Sequence, residues 1–194
     1  MKPAIHFRYL FLIGLPFLLI TACQPQSDSL DAIKKYQPDD KYFKSALISL
    51  HFIIETSPIT KVDSTFSQLL QAYHLPVDAI GAANGVYEGE SPYDAFDYKH
   101  VVKLTIKNEK IVALHYNEVH KNGTGKREDK AYNDEMSSTG TTPAEAYPHM
   151  EQALLHHQNM LEVDAISGAT YSLYRFRYAV TVALMKAQLR QETK

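Results

Sequence analysis

Two alternating runs on either side of Asn108-Glu109 identify part of this 194-residue chain as β-structure. In the stretches 102–107 (VKLTIK) and 111–119 (IVALHYNEV), apolar and polar side chains alternate. A period of two buries one face of a strand and exposes the other, and a short polar gap between two such runs is typical of a β-hairpin. We therefore expect an antiparallel pair of strands, preceded by a short strand at 86–90.

Apolar residues recur at helical spacing in two runs that come before the strands. The first run follows Asp39-Asp40 and ends at Ser57-Pro58, and the second follows Asp63 and stops near Pro76. Helices with such apolar stripes pack against each other or onto a neighbouring domain. We expect a helical hairpin within the region 31–76, with core packing as its main role and partner docking as the alternative.

The chain after the strands predicts a long loop and then a helix. Residues 121–142 (KNGTGKREDKAYNDEMSSTGTT) are polar and contain glycine, which favours a loop. The segment 142–145 (TPAE) has the pattern of a capping box with proline at the first helical position. Pro148 removes a backbone hydrogen bond, so the alternative is a regular helix that begins near Tyr147 and runs to about His157.

A last apolar pattern, from Leu173 to Leu189, covers two faces of a helix and predicts a well-buried element. The order strand, hairpin, helix, helix predicts an α+β fold, an antiparallel sheet with packed helices that follows the helical hairpin. Hydrophobic residues make up 45 % of the chain, and the formal net charge is -2. This composition is ordinary for a globular protein, and the absence of a basic tail or face in the sequence argues against a nucleic-acid partner.

The first residues have the pattern of an export signal. Lys2 and Arg8 precede an apolar run from Tyr9 to Ile20, which is shorter than the roughly 20 apolar residues of a spanning helix. The run 19–23 (LITAC) that follows resembles the lipobox of bacterial lipoproteins, in which cleavage occurs before the cysteine and the cysteine is lipidated. The alternative is an uncleaved anchor with an unrelated cysteine.

Cys23 is the only cysteine of the chain, so the sequence provides no internal disulfide. We expect a signal peptide at 1–22, a lipidated Cys23 and a polar tether at 23–30, which together imply an extracytoplasmic, membrane-anchored protein. Gln24 is not the Asp that retains many lipoproteins at the inner membrane, which favours the outer membrane in a Gram-negative source.

The stretch 163–172 (VDAISGATYS) concentrates small residues immediately before the last helix. The first turn of a helix carries N–H groups without intrahelical partners and the positive end of the helix dipole, so it suits a phosphate. Gly168 permits a close backbone approach or a positive φ angle. The alternative is an ordinary cap, because Ser and Thr are preferred N-caps and most caps bind no ligand.

The segment 164–170 (DAISGAT) resembles the flavinylation motif of the FMN-binding domain. This domain occurs in the C subunit of the sodium-translocating NADH:quinone oxidoreductase, in the G subunit of the Rnf complex and in extracytoplasmic flavoproteins. The motif is Asp, two variable residues, Ser or Thr, Gly or Ser, Ala, and Thr, and every position is matched. The order of elements from Gly81 onward is also similar, so the resemblance implies an FMN-binding domain at 81–190.

The resemblance implies that FMN is attached to Thr170 through a phosphoester, installed by an exported FAD-dependent flavin transferase. Ser167, Gly168 and Ala169 would then lie around the phosphate. Asp164 would contribute to recognition or form an Asx-turn before the helix, and the two roles are compatible. A free threonine is a poor nucleophile, so we expect the transferase and its metal to activate Thr170.

The ring of the flavin needs an apolar slot with a few polar groups at its edge. Residue type and family position favour Tyr87, Met136, Tyr147 and Met150 for this slot, with core packing as the alternative for each.

Two basic residues and the histidines complete the candidate chemistry. Lys126 and Arg127 are expected in a solvated basic loop, with stabilisation of a reduced anionic flavin as the alternative. The chain has nine histidines, but none shows HExxH or Cys/His metal spacing and there is no CxxCH haem site, so we expect no metal site.

Together these features predict a membrane-anchored FMN lipoprotein that relays electrons between a donor and an acceptor that the sequence does not identify. The sequence shows no nicotinamide fingerprint and no acid/base pair, which favours an electron carrier without catalytic residues of its own. One alternative is a binding or assembly lipoprotein with the same fold and no flavin. Another is a flavin reductase subunit that acts on a soluble substrate.

Overall fold

The structure is a computed structural model that describes residues 41–138 and 140–190, with side chains from residue 44 onward. The expected signal peptide at 1–22, the lipidated Cys23, the tether at 23–30 and residues 31–40 lie outside this range.

An antiparallel three-stranded sheet forms the centre of the fold, in the order β1 (Gly85–Glu90), β2 (Tyr98–Lys107) and β3 (Lys110–His120). The turn between β2 and β3 has positive φ angles at Asn108 and Glu109, the backbone that a tight hairpin requires. Along β2 the buried side chains alternate with more exposed ones, as the period of two predicts. With helices packed on it, the sheet confirms the α+β class.

The helices surround this sheet and share one hydrophobic core with it. They are α1 (Lys41–Thr56), α2 (Ile59–Ala72), α3 (Lys130–Ser137), α4 (Pro143–His157) and α5 (Thr170–Arg190), with a 3-10 turn at Met160–Glu162. The long helix α5 packs across β1 and β2, while α4 packs on β3 and the helix pair α1–α2 packs on α5. In the described ranges, no helix is both long enough and apolar enough to cross a membrane.

One local expectation is wrong, and one pair of alternatives is decided. The segment 121–142 is not entirely loop, because it contains α3, whose first turn is capped by the Asp129 carboxylate accepting from Tyr132 N at 3.0 Å. Helix α4 begins at Pro143 rather than near Tyr147. Its capping box forms, and Pro148 lies inside the helix because the lost hydrogen bond is offset by the buried face that α4 packs on β3.

Gly89 allows the closest approach between the sheet and α5. A methyl group on Gly89 would overlap the Ala179 carbonyl oxygen and lie 2.6 Å from Ala183 N, both in the backbone of α5. Because neither helix atom moves without distorting α5, the separation of the two layers depends on glycine at this position.

We expect Gly89→Ala to lower the free energy of unfolding by about 3 kcal/mol, the upper end of the usual cost of overpacking. The neighbouring Glu88→Ala removes only an exposed ion pair with Lys103 and should change stability by less than about 0.5 kcal/mol. Urea unfolding of the two variants provides the comparison. Equal urea midpoints for Gly89→Ala and Glu88→Ala would show that α5 does not pack against β1 as closely as described.

Candidate functional site

A cavity of about 250 Å³, the α4/α5 cavity, lies where the N-terminal ends of α4 and α5 meet the C-terminal end of β3. Thr142 and Pro143 line it from the start of α4, and Gly168 and Ala169 line it from the turn before α5. The first N–H groups of a helix have no intrahelical carbonyl partners, so two helix ends with partial positive charge face the same space.

Gly168 lies at the contact between these two helix starts. Its φ angle is +86°, in the left-handed region that glycine adopts without strain. A Cβ atom at this position would lie 3.4 Å from the Thr141 side chain, just before α4. The backbone of the 164–170 motif therefore packs directly against the start of the neighbouring helix.

A buried carboxylate forms part of the cavity lining. Glu118 on β3 is only 4 % exposed, and its Oε1 accepts hydrogen bonds from the Tyr147 hydroxyl and from Ser172 Oγ. Its Oε2 pairs with the Lys126 ammonium group. Burial acts to raise the pKa of Glu118, but nearby positive charge and the hydrogen bonds from Lys126 and Tyr147 outweigh it and lower the pKa to about 2.

His100 lies behind Glu118 and is 1 % exposed. Its Nδ1 is 2.7 Å from the Tyr116 hydroxyl, which donates to the Ser172 carbonyl at 3.1 Å. The other ring nitrogen, Nε2, is 3.9 Å from Glu118 Oε2 and has no hydrogen-bond partner among the described residues. Burial lowers the pKa of His100 to about 4, so the ring is neutral at pH 7.

Helix α1 also contributes to this site. Glu55, near its C-terminal end, binds Arg175 of α5 through contacts of 2.8, 3.0 and 3.1 Å. Both side chains line the α4/α5 cavity. The helix pair therefore supplies a charged group to the same space as the 164–170 motif, in addition to its part in the core.

Comparisons with known proteins place the chain in a family. No family model matches it. Over 109 residues it is 33% identical to the 15 kDa lipoprotein of Treponema pallidum (strain Nichols), an alignment that covers 54% of this chain and 76% of that protein. The chain belongs to the family of this lipoprotein.

A solved structure is similar to this chain in both sequence and fold. The CPE2226 protein from Clostridium perfringens superposes with a TM-score of 0.52 and 33% sequence identity. The match covers 58% of this chain and 92% of that protein. More than half of the chain thus shares its fold with an experimentally determined protein.

The structure brings several of the predicted site residues together. Met136, Tyr147, Gly168 and Ala169 all line the α4/α5 cavity. Thr170 is the first residue of α5 and is half-buried. Ala169 directly before it and Ser172 two residues after it line the cavity, although Thr170 itself does not.

Three other predicted residues lie elsewhere. Asp164 and Ser167 are exposed in the turn before α5, and Asp164 lines a different, shallow cavity beside α4. Met150 is fully buried in the core and reaches that same shallow cavity. These positions separate the acidic start of the motif from the α4/α5 cavity.

Tyr87 does not line the α4/α5 cavity. Its hydroxyl donates to the Ala83 carbonyl at 3.0 Å, and its ring lies under the guanidinium of Arg190. Arg190 is the last residue of α5, at the opposite end from Thr170. Tyr87 is therefore a core residue of β1, because its strand crosses α5 far from the start of that helix.

The expectation of a solvated basic loop at Lys126 and Arg127 is wrong. Lys126 lines the cavity, pairs with Glu118 and lies 4.3 Å from the centroid of the Tyr98 ring. Arg127 is 2.7 Å from the carboxylate of Glu151 on α4. Both cations bind largely buried acids, which fixes the segment after β3 against the sheet and α4.

Sequence reasoning missed the polar groups that matter most, namely Glu118, Ser172, Glu55 and Arg175. Glu118 lies in a strand where alternation breaks down, since Tyr116, Asn117 and Glu118 are buried in succession. In the sequence alone, this break in the alternation does not indicate a functional site. Ser172 follows Thr170 by two positions and belongs to the stretch 163–172, so only its role was missed.

Within residues 41–138 and 140–190, no group of three or more His, Cys, Asp or Glu side chains has a geometry that could hold a metal ion.

The neutral, buried His100 predicts a pH dependence of stability. Between pH 6.5 and 4.5 the unfolded histidine binds a proton and the folded one does not, so the free energy of unfolding should fall by about 2 kcal/mol as the pH falls. His100→Asn should remove this component, whereas the exposed His115→Asn should retain it. Urea unfolding at several pH values measures it. Parallel plots of the free energy of unfolding against pH for wild type, His100→Asn and His115→Asn would contradict the assignment of this component to His100.

Proposed function

We propose that the protein is an extracytoplasmic, membrane-anchored flavoprotein that carries FMN on Thr170 through a phosphoester and takes part in electron transfer. The observation that carries the proposal is the full match of 164–170 to the flavinylation motif, at the start of a helix and beside a cavity. Membership in a lipoprotein family supports the anchored form, since the Treponema relative is named a lipoprotein.

The residues around Thr170 fit a phosphate. Thr170 is the first residue of α5, so its hydroxyl belongs to the start of the helix. The N–H groups of the first turn have no intrahelical partners, and together with the helix dipole they favour an anion. Gly168 and Ala169 have little or no side chain, which leaves room for a phosphate and ribityl chain to reach the α4/α5 cavity. A covalent link would keep the cofactor with its carrier when the surroundings hold no free flavin.

The walls of the cavity fit part of a flavin ring. Tyr147, Met136 and Tyr132 supply aromatic and thioether surface, and Lys126 supplies a positive charge. The pKa of Lys126 is raised, because the Glu118 carboxylate outweighs the effect of burial, so it stays charged at neutral pH. Because Glu118 pairs with this ammonium group, Lys126 would act on a bound flavin as a hydrogen-bond donor rather than as a net positive charge.

When bound, FMN would supply the redox chemistry, and the chain would supply position and polarity. Glu118, which is ionised at pH 7, holds Lys126, Tyr147 and Ser172 in place around the cavity. The proposal includes an exported flavin transferase that attaches the FMN, and an electron donor and an electron acceptor as further partners.

Thr170→Ala should abolish covalent flavin, because it removes the attachment oxygen. The protein is coexpressed with an exported flavin transferase, denatured, and its band examined for flavin fluorescence in a gel. Thr141→Ala, a threonine of the same cavity outside the motif, is the matched control and should remain fluorescent. A fluorescent Thr170→Ala band would show that the site is wrong.

Cys23→Ser should release the protein from the membrane fraction, because lipidation requires the cysteine thiol. Stable anchoring takes two or more acyl chains, so loss of the modification should shift nearly all of the protein to the soluble fraction. Fractionation and intact mass of both forms measure this. A Cys23→Ser protein that stays in the membrane and differs in mass from the wild type only by the substituted atom would indicate an uncleaved anchor.

A second candidate function is ligand binding without flavin. It is favoured by a separate cleft of about 510 Å³ beside α2, lined mainly by apolar side chains that include Leu70, Leu75, Val77 and Leu161. This volume lies within the usual range for small-molecule sites. A wild-type band that stays dark in cells containing the transferase would favour this function over the first.

A further inference from the structure

Phe96 is the most exposed large hydrophobic residue among the described side chains, at 79 %. It lies in the loop between β1 and β2, and its side chain lines the α4/α5 cavity. A single exposed hydrophobic residue needs no explanation on an ordinary surface, but this one lies at the opening of the candidate site.

The backbone that carries Phe96 is held in place by hydrogen bonds. The Asp94 carboxylate accepts from Phe96 N at 2.8 Å and from Tyr98 N at 2.9 Å. On the other side, the Asp97 carbonyl accepts from Lys121 N at 3.0 Å, and Asp97 has a φ angle of +62°. The turn therefore presents its aromatic ring from a fixed backbone, so little further ordering is needed when a ligand packs on it.

The size of the cavity leaves a ligand ring partly uncovered. Its volume of about 250 Å³ is below the roughly 300–1,000 Å³ of typical small-molecule sites. A flavin attached at Thr170 would therefore extend from the cavity to its opening. Phe96 lies there, and Ala95 and Asp94, which also line the cavity, present no large apolar surface.

We propose that Phe96 packs on the isoalloxazine ring of the bound flavin and shields it from solvent. The inference rests on the proposed function and names a residue that the flavinylation motif does not include. Aromatic rings stack on each other with offset or edge contacts, and such a contact would cover hydrophobic surface on both the side chain and the flavin. Docking of a redox partner on Phe96 is the competing explanation and is separated by the test.

The test uses the full-length flavinylated protein and measures quenching of flavin fluorescence by iodide. Phe96→Ala should leave the covalent flavin content unchanged and raise the quenching constant about twofold or more, because the ring loses an aromatic cover. Phe52→Ala is the control, since Phe52 is 64 % exposed on α1 but lies outside the cavity lining. Thermal unfolding of each variant checks that the exposed substitutions leave the fold intact.

A second pair of variants tests the same contact by adding a quencher of flavin fluorescence at position 96 or 52. Phe96→Trp should quench the flavin emission through the adjacent indole, whereas Phe52→Trp should not. Equal iodide quenching in wild type and Phe96→Ala, with flavin present in both, would overturn the inference alone. A slower electron exchange with a partner at unchanged quenching would also overturn it and assign Phe96 to docking. A wild-type protein without flavin would overturn the proposed function as well.

Discussion

The Glu118 carboxylate connects the segments that form the α4/α5 cavity. From β3 it accepts hydrogen bonds from Tyr147 of α4 and Ser172 of α5, and it pairs with Lys126 from the segment after β3. A buried carboxylate without these partners would cost several kcal/mol, so the charge is tolerated only when all of the segments are in place. The contacts of this one group therefore help to fix the positions of α4 and α5 relative to the sheet.

The same interaction determines what the cavity can bind. Glu118 neutralises Lys126, and Glu55 neutralises Arg175, so each cation that lines the space already has an acidic partner. The helix starts at Thr142 and Gly168 add partial positive charge from the backbone. The result is a site that offers hydrogen-bond donors to an anion and retains aromatic and thioether surface for a ring.

Local signals in the sequence predicted the sheet and most helices, and only part of the site. The period of two predicted β2 and β3, and the capping pattern at 142–145 predicted the start of α4, although Pro148 left a later start open. The Glu118 network could not be predicted, because its members lie 29 and 54 residues apart in sequence and meet only when the layers pack. The position of Tyr87 near the C-terminal end of α5 could not be predicted for a similar reason: its residue type gave no information on which end of α5 it faces.

The central claim is that the chain carries one FMN on Thr170. The most direct measurement is the intact mass of mature wild-type protein from cells that contain a flavin transferase, followed by peptide mapping. The account predicts an added mass of one FMN less one water, located on the peptide that contains Thr170. A mature protein whose mass corresponds to the polypeptide and its lipid alone would contradict the account.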